Sequence, residues 1–143
     1  MEDIKYKAFV TVETDQGFTN SLENLSTSNL KENDLLVKVS YSSLNYKDAL
    51  SASGNKGVTR EYPHTPGIDA VGEVVKSNTS DFKIGDKIIV TGYDLGMNTY
   101  GGFGQYISIP ANWAVMLPKE LSENESMSIG TAGLTAGLCI RKL

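Results

Sequence analysis

Apolar and polar residues alternate over much of the first two thirds of the chain. Ala8, Val10 and Val12 stand two apart, and Leu35, Val37, Val39 and Tyr41 repeat the spacing with Lys38 and Ser40 between them. Successive side chains of a strand point to opposite faces, so a period of two predicts half-buried strands. Residues 70–75, 87–91, 105–109 and 113–117 are further short strand candidates, separated by turn-forming runs such as Ile84-Gly85-Asp86 and Pro110-Ala111-Asn112. Many short strands with glycine-rich turns predict a mainly β architecture, a barrel or a sandwich.

Two segments change period. Asn45, followed three residues on by Asp48, resembles a capping box and predicts a brief helix ending near Ser53-Gly54. Ser122 and Glu125 form a second box, opening a run that holds Met127, Ile129, Leu134, Leu138 and Ile140. Gly130, Gly133 and Gly137 each weaken that helix by about 1 kcal/mol relative to Ala, which predicts close backbone packing or a ligand lying against it. The sequence stops at Arg141-Lys142-Leu143, inside this apolar run and not in a polar linker, so a truncation is expected.

Composition narrows the classes. The 143 residues, 40% hydrophobic and 21% charged, suit one globular domain with a buried core. With 13 Lys+Arg against 17 Asp+Glu the net charge is −4, so no basic field invites nucleic acid. One cysteine, Cys139, and one histidine, His64, exclude an intrachain disulfide, a Cys-rich zinc site and any site needing two imidazoles. The first residues have neither the basic start nor the apolar run of a secretory signal, and no apolar stretch nears the roughly 20 residues that cross a bilayer. A cytoplasmic protein with no membrane partner is expected.

Four motifs carry candidate chemistry. Residues 41–48 gather amide, phenol, ammonium and carboxylate groups at a strand-to-helix junction, a place that often lines a cleft. The ordinary reading is that Asn45 caps, Asp48 completes the box and Tyr46 packs. Residues 63–75 form a rigid turn feeding a strand, where Gly72 permits a bulge or the close approach of another backbone and His64 reads as a loop residue. Residues 92–104 mix Gly96, Gly101, Gly102 and Gly104 with Tyr93, Tyr100 and Phe103, a run that can wall a flat aromatic ligand but is not a dinucleotide fingerprint. Residues 130–137 are small, with two hydroxyls, Thr131 and Thr135, suited to helix packing or to bonding carbonyls a turn back. Cys139, between Leu138 and Ile140, reads as a packed small hydrophobe.

Taken in order, Leu44-Asn45-Tyr46-Lys47-Asp48, Pro66-Gly67-Ile68-Asp69-Ala70-Val71-Gly72-Glu73-Val74, Gly85-Asp86-Lys87-Ile88-Ile89-Val90, Tyr100-Gly101-Gly102-Phe103-Gly104-Gln105-Tyr106 and Gly130-Thr131-Ala132-Gly133-Leu134-Thr135-Ala136 resemble the medium-chain dehydrogenase/reductase superfamily. Within it the chain is similar to the zinc-free YhdH/YhfP-type quinone oxidoreductases, the group that also contains acrylyl-CoA reductases. The likeness runs over essentially the whole chain. It implies a mainly β fold with short helices: a GroES-like β-barrel catalytic domain over residues 1–121, incomplete, with 122–143 a helix leading into an absent NADPH-binding Rossmann domain. The zinc-dependent branch has a metal-binding Cys where this chain has Asn45, and Gly-His-Glu where it has Gly67-Ile68-Asp69, so no metal site is implied.

Carried over residue by residue, the resemblance makes Asn45, Tyr46 and Asp48 the catalytic set, and Asn45, Tyr46, Thr131 and Thr135 the residues that meet the cofactor. Tyr62 lies near the place where related enoyl reductases keep a catalytic tyrosine, although the segment from Gly57 to Pro63 carries extra residues. The implied chemistry is hydride transfer from NADPH to an activated alkene, such as acrylyl-CoA or an enone, or to a quinone. Asn45 and Tyr46 would supply donors to the carbonyl oxygen. The proton would come from Tyr46, Tyr62 or water. A homodimer acting on a small molecule is expected, and the fragment alone is expected to be inactive. The alternative is a stand-alone GroES-like module that binds a partner or itself through an unpaired edge.

Overall fold

Most of the alternating stretches become strands because each has one face to bury. The computed structural model describes residues 3–142. Its strands are β1 (Lys5–Thr14), β2 (Gly17–Ser26), β3 (Leu35–Tyr41), β4 (Asp69–Ser77), β5 (Lys87–Thr91), β6 (Tyr106–Ile109) and β7 (Val115–Met116). β1 and β2 form a hairpin, and the other five make an antiparallel sheet ordered β6-β3-β4-β5-β7. Among the described residues two α-helices complete the fold, α1 (Tyr46–Ala52) and α2 (Glu123–Arg141). The mainly β class with short helices is therefore as expected.

The core lies on one face of the five-stranded sheet. Leu35, Val37, Ala70, Val74, Ile88, Val90, Ile107 and Ile109 are buried there with Leu95 from the loop after β5. Burying one such Val, Leu or Ile side chain contributes about 1.5–3 kcal/mol, so this face dominates the sheet's stability. Tyr6, Ala8 and Val10 of β1 make a second cluster with Leu25, Leu30 and Tyr106. Burial pushes the Tyr6 phenol up to about 12, with the neighbouring Tyr100 adding to the shift.

β1 is bonded along both edges. On one side it pairs with β2 throughout. On the other, Thr11 and His64 exchange backbone hydrogen bonds of 2.8 and 2.9 Å, the Phe9 N–H donates to the Phe103 carbonyl at 3.0 Å, and the Gln105 N–H donates to the Lys7 carbonyl at 3.0 Å. These bonds join the hairpin to the larger sheet.

Gly72 has the close approach its position predicts. A Cβ there would run into the carbonyl of Lys38 on β3, where the register slips between Val39 and Tyr41. Other expectations are corrected. β2 has no counterpart among the strand candidates, because it is polar and exposed along most of its length and shows no period of two. The 113–117 candidate is split into a 3-10 turn, Ala111–Trp113, and the two-residue β7. His64 is 2% exposed and belongs to the fabric joining β1 to the rest, not to a surface loop. Cys139 is exposed, not packed, because the second half of α2 stands clear of the sheet core. Most importantly, α2 is interrupted: Gly130 has φ 49° and ψ −161°, and the chain turns there before helix resumes.

Candidate functional site

The site starts at the mouth of α1. The Asn45 backbone N–H donates to Asp48 Oδ2 at 2.8 Å, and Asp48 Oδ1 accepts from the Ile68 N–H at 2.9 Å. A carboxylate three residues into a helix start satisfies a donor that the helix leaves free. Here it also ties α1 to the turn before β4. Asp48 is buried, and that burial pushes its carboxyl above the usual carboxylate range, while the Asn45 and Ile68 hydrogen bonds pull it back and the nearby Asp69 adds to the rise. Both Asp48 oxygens are thus occupied by backbone N–H groups. Tyr46, the next residue after the cap, is 81% exposed, so its phenol stands open to solvent.

Asp69, the first residue of β4, is fully buried. Its Oδ2 accepts from Asn45 Nδ2 at 3.0 Å and from the Thr131 N–H at 2.8 Å, and its Oδ1 accepts from Thr131 Oγ1 at 2.5 Å. A buried carboxylate with three donors is the arrangement that makes such burial tolerable.

The break in α2 exists to serve these bonds. At Gly130 the chain takes a positive φ, and a Cβ there would meet Ser43 Oγ and Asp69 Oδ2. In a continuous helix the Thr131 N–H would bond the Met127 carbonyl one turn back. Instead Thr131 turns to Asp69, and the Met127 carbonyl accepts from Ser43 Oγ at 2.6 Å. Both the Thr131 N–H and the Met127 carbonyl, freed by the break, have a partner, which is why a buried break is stable. One turn further on, Thr135 Oγ1 donates to the Thr131 carbonyl at 2.8 Å, the back-bond expected of it, and so presents only acceptor lone pairs outward.

Of the sequence-derived site residues, the structure brings Asn45 and Thr131 together on one carboxylate. Tyr46 adjoins them in the chain, Thr135 lies one turn beyond Thr131, and Asp48 anchors the helix beneath. The residue missed as a polar site member is Asp69, whose partners are 24 and 62 positions away. A signal was present: a carboxylate in the run Ile68-Asp69-Ala70-Val71, where a buried strand otherwise takes apolar residues.

Two cavities have aromatic linings. One, of about 450 Å³, is lined by Ile89, Thr91, Tyr93, Trp113, Val115 and Leu134. Tyr93 stacks flat on Trp113, with ring centroids 5.4 Å apart and planes 7° from parallel. Of the aromatic residues in 92–104, Tyr93 lines this cavity and Tyr100 the other. Leu95 enters the core, and Gly96 and Gly101 press against the backbone of Gly67. The other, of about 480 Å³, is lined by Arg60, Tyr62, His64, Asn98 and Tyr100 among others. Tyr62 donates its phenol proton to the Ser51 carbonyl at 2.7 Å and packs against Phe18 at 4.9 Å. Burial holds the His64 imidazole below its ordinary value, against a hydrogen bond to Gly96 and the charge of Asp94 that pull it up, and its Nε2 has no partner among the described residues.

Among the described residues no three His, Cys, Asp or Glu side chains gather. Asp69 is ringed by an amide, a hydroxyl and a backbone N–H, all of them neutral groups. Among the described residues no helix is long and apolar enough to cross a membrane.

A hairpin joined to a five-stranded antiparallel sheet, with a polar cluster at the start of its helix, defines a class. Residues 31–119 match the alcohol dehydrogenase GroES-like domain, and the chain belongs to that family. Among curated proteins, it is 45% identical over 122 residues to YhfP of Bacillus subtilis, which carries a quinone oxidoreductase name; the match covers 85% of this chain and 37% of YhfP. It is 40% identical over 123 residues to the acrylyl-CoA reductase AcuI of Ruegeria pomeroyi, covering 86% of this chain and 37% of AcuI. Among solved structures, the YhdH oxidoreductase of Salmonella enterica in complex with NADP superposes with TM-score 0.92 at 39% identity, over 96% of this chain and 42% of that one. The B. subtilis YhfP structure with NAD bound gives 0.93 at 40% identity, over 98% and 43%. The chain thus spans well under half the length of these relatives.

Proposed function

We propose that this chain is the substrate-facing catalytic region of an NADPH-dependent, zinc-independent reductase of quinones or activated alkenes of the acrylyl-CoA or enone type. On this reading residues 1–121 form the catalytic domain, 122–143 lead to a dinucleotide-binding domain, and the whole protein is a cytoplasmic homodimer. The observation that carries the proposal is the set of uncharged donors around Asp69, with Asn45 and Thr131 fixed on one buried carboxylate beside exposed Tyr46. The likeness to relatives whose structures hold NADP and NAD supports it.

The residues present suit the ring end of a nicotinamide cofactor, whose carboxamide both donates and accepts. Asn45 Nδ2 donates to Asp69, and the Thr135 hydroxyl offers lone pairs. Asn45, Tyr46, Thr131 and Thr135 would therefore hold that end. When bound, the cofactor supplies the hydride. The chain's part is to hold the acceptor and to place donors at the carbonyl oxygen where negative charge grows. The Asn45 side-chain amide and Tyr46 O–H are those donors, and losing one such donor costs about 2.7–4 kcal/mol of barrier. Asp48 is assigned to the catalytic set through the helix it fixes, because both its oxygens are engaged. The Tyr62 proton is engaged on Ser51, which favours Tyr46 or water as the proton source.

The test is oxidation of NADPH by a protein carrying this chain ahead of its dinucleotide-binding domain, with acrylyl-CoA, a benzoquinone and an enone as acceptors. Asn45→Ala is expected to lower kcat about 10²–10³-fold. The 143-residue chain alone is expected to show no turnover. Enzyme-like rates from the chain alone, or unchanged kcat in Asn45→Ala, overturn the reading.

A further inference from the structure

We infer that Asp69 is a positioning residue of this site: its carboxylate orients the Asn45 amide and the Thr131–Thr135 turn, and its charge makes the face they form favour a cationic ring over an uncharged ring of the same shape. The inference rests on the reading of that face as the cofactor's and adds to it a residue and a selectivity.

The positioning follows from the bonds. Asp69 is fully buried and is the shared acceptor for two elements distant in sequence, the cap of α1 and the first residue after the break in α2. The Asn45 amide is oriented by the bond its Nδ2 makes to Asp69. Thr131 is held twice, through its N–H and its hydroxyl, so the orientation of the whole turn that carries Thr135 is fixed by the same carboxylate. An asparagine could not replace it in kind. Its amide has one oxygen, and its NH₂ group would face donors where the carboxylate faces them with lone pairs.

The selectivity follows from what is missing around the charge. None of the ion pairs among the described residues includes Asp69. Its three donors are neutral groups, which stabilise the anion without cancelling its charge. Asp48, the neighbouring buried carboxyl, likewise has backbone N–H partners and no cation among the described residues. Charge shielded from water acts at longer range than charge at the surface. A ligand at Asn45 and Thr135 therefore approaches two buried carboxyl groups that no side-chain cation among the described residues neutralises. Their charge would steady a cationic ring held against that face.

Two small probes with one shape separate the effects: 1-methylnicotinamide, a cation, and 3-methylbenzamide, its neutral isostere. Each is titrated into the 143-residue chain while the Asn45 side-chain NH₂ and the Thr131 and Thr135 amide signals are followed by NMR. The wild type is expected to bind the cation on the order of fivefold more tightly than the isostere. Asp69→Asn is expected to bring the ratio near one and to shift the Asn45 NH₂ signals in the absence of ligand. Thr131→Val, which removes a donor and leaves the charge, is expected to keep the preference. Equal binding of the two probes by the wild type overturns the inference and leaves the cofactor reading standing, and that outcome does not require Asp69→Asn to fold. A preference that survives Asp69→Asn, or that Thr131→Val abolishes equally, also overturns it. If neither probe shifts these signals, the reading of the face itself fails, and the inference with it.

Discussion

Met127 and Thr131 stand four residues apart in α2, the spacing at which a helix closes a hydrogen bond, and each takes its partner from outside the helix. The Met127 carbonyl accepts from Ser43 Oγ at 2.6 Å, and the Thr131 N–H donates to Asp69 Oδ2 at 2.8 Å. The exchange leaves neither group orphaned and turns a break in regular structure into a joint between α2, β4 and the loop before α1.

That joint depends on the absence of a side chain at position 130. Gly130→Ala puts a Cβ against Ser43 Oγ and Asp69 Oδ2 at a φ of 49°. It is expected to cost about 1–3 kcal/mol from the backbone alone, with the clash in addition. Urea denaturation measures the total. A loss below about 0.5 kcal/mol, the size of an ordinary surface change, means that the helix runs through position 130 unbroken.

Asp48 is expected to matter for stability as much as for turnover. Asp48→Ala strands the N–H groups of Asn45 and Ile68 in a buried setting. The expected loss is about 2–4 kcal/mol, with Asp48→Asn intermediate because one acceptor oxygen remains. Chemical denaturation of both variants tests the order as well as the size.

His64 gives the fold an acid-sensitive element. Its folded pKa lies below the unfolded value of 6.5, chiefly through burial. The unfolded chain therefore takes up the proton first as pH falls, and stability is lost from about pH 6.5 down to the folded pKa. Asp48 has the opposite sign in a lower window. Its carboxyl is raised above 3.8 in the fold, so its contribution improves as pH falls through that raised value. Urea midpoints between about pH 7.5 and 5 should fall for the wild type and stay nearly level for His64→Phe. Because the chain has one histidine, a slope that persists in the variant assigns the effect to carboxylates instead.

Gly72 is expected to tolerate no larger residue. A Cβ there meets the Lys38 carbonyl on the adjoining strand, a rigid neighbour, so β3 and β4 must part for Gly72→Ala to fit. Overpacking of this kind costs about 1–3 kcal/mol. Faster amide exchange at Lys38 and Val39 in the variant locates the strain, and unchanged exchange there contradicts the contact.

What the sequence made legible was whatever is written locally. β3, β4 and β5 show through their alternation. Both helix starts show through capping residues three apart, and the Asn45 and Ser122 boxes stand where the spacing puts them. β2 was opaque because a strand wet on both faces carries no period. The break at Gly130 was opaque because its cause is elsewhere in the chain: the glycine hints at close approach, but only the fold supplies Ser43 and Asp69 to approach. Cys139 misled through its apolar neighbours, Leu138 and Ile140, which are themselves exposed. For the site, Asn45 and Thr131 were named separately, and the carboxylate that unites them lies 24 residues from one and 62 from the other.

The bonds along both sides of β1 carry a consequence for how this molecule behaves in a crowd. A strand already sewn to β2 on one flank and to His64, Phe103 and Gln105 on the other offers an incoming chain no dangling ladder to copy. Fibril growth through this hairpin would have to start from the outer flank of β2, where Asn20, Ser21, Glu23 and Asn24 make poor seed material.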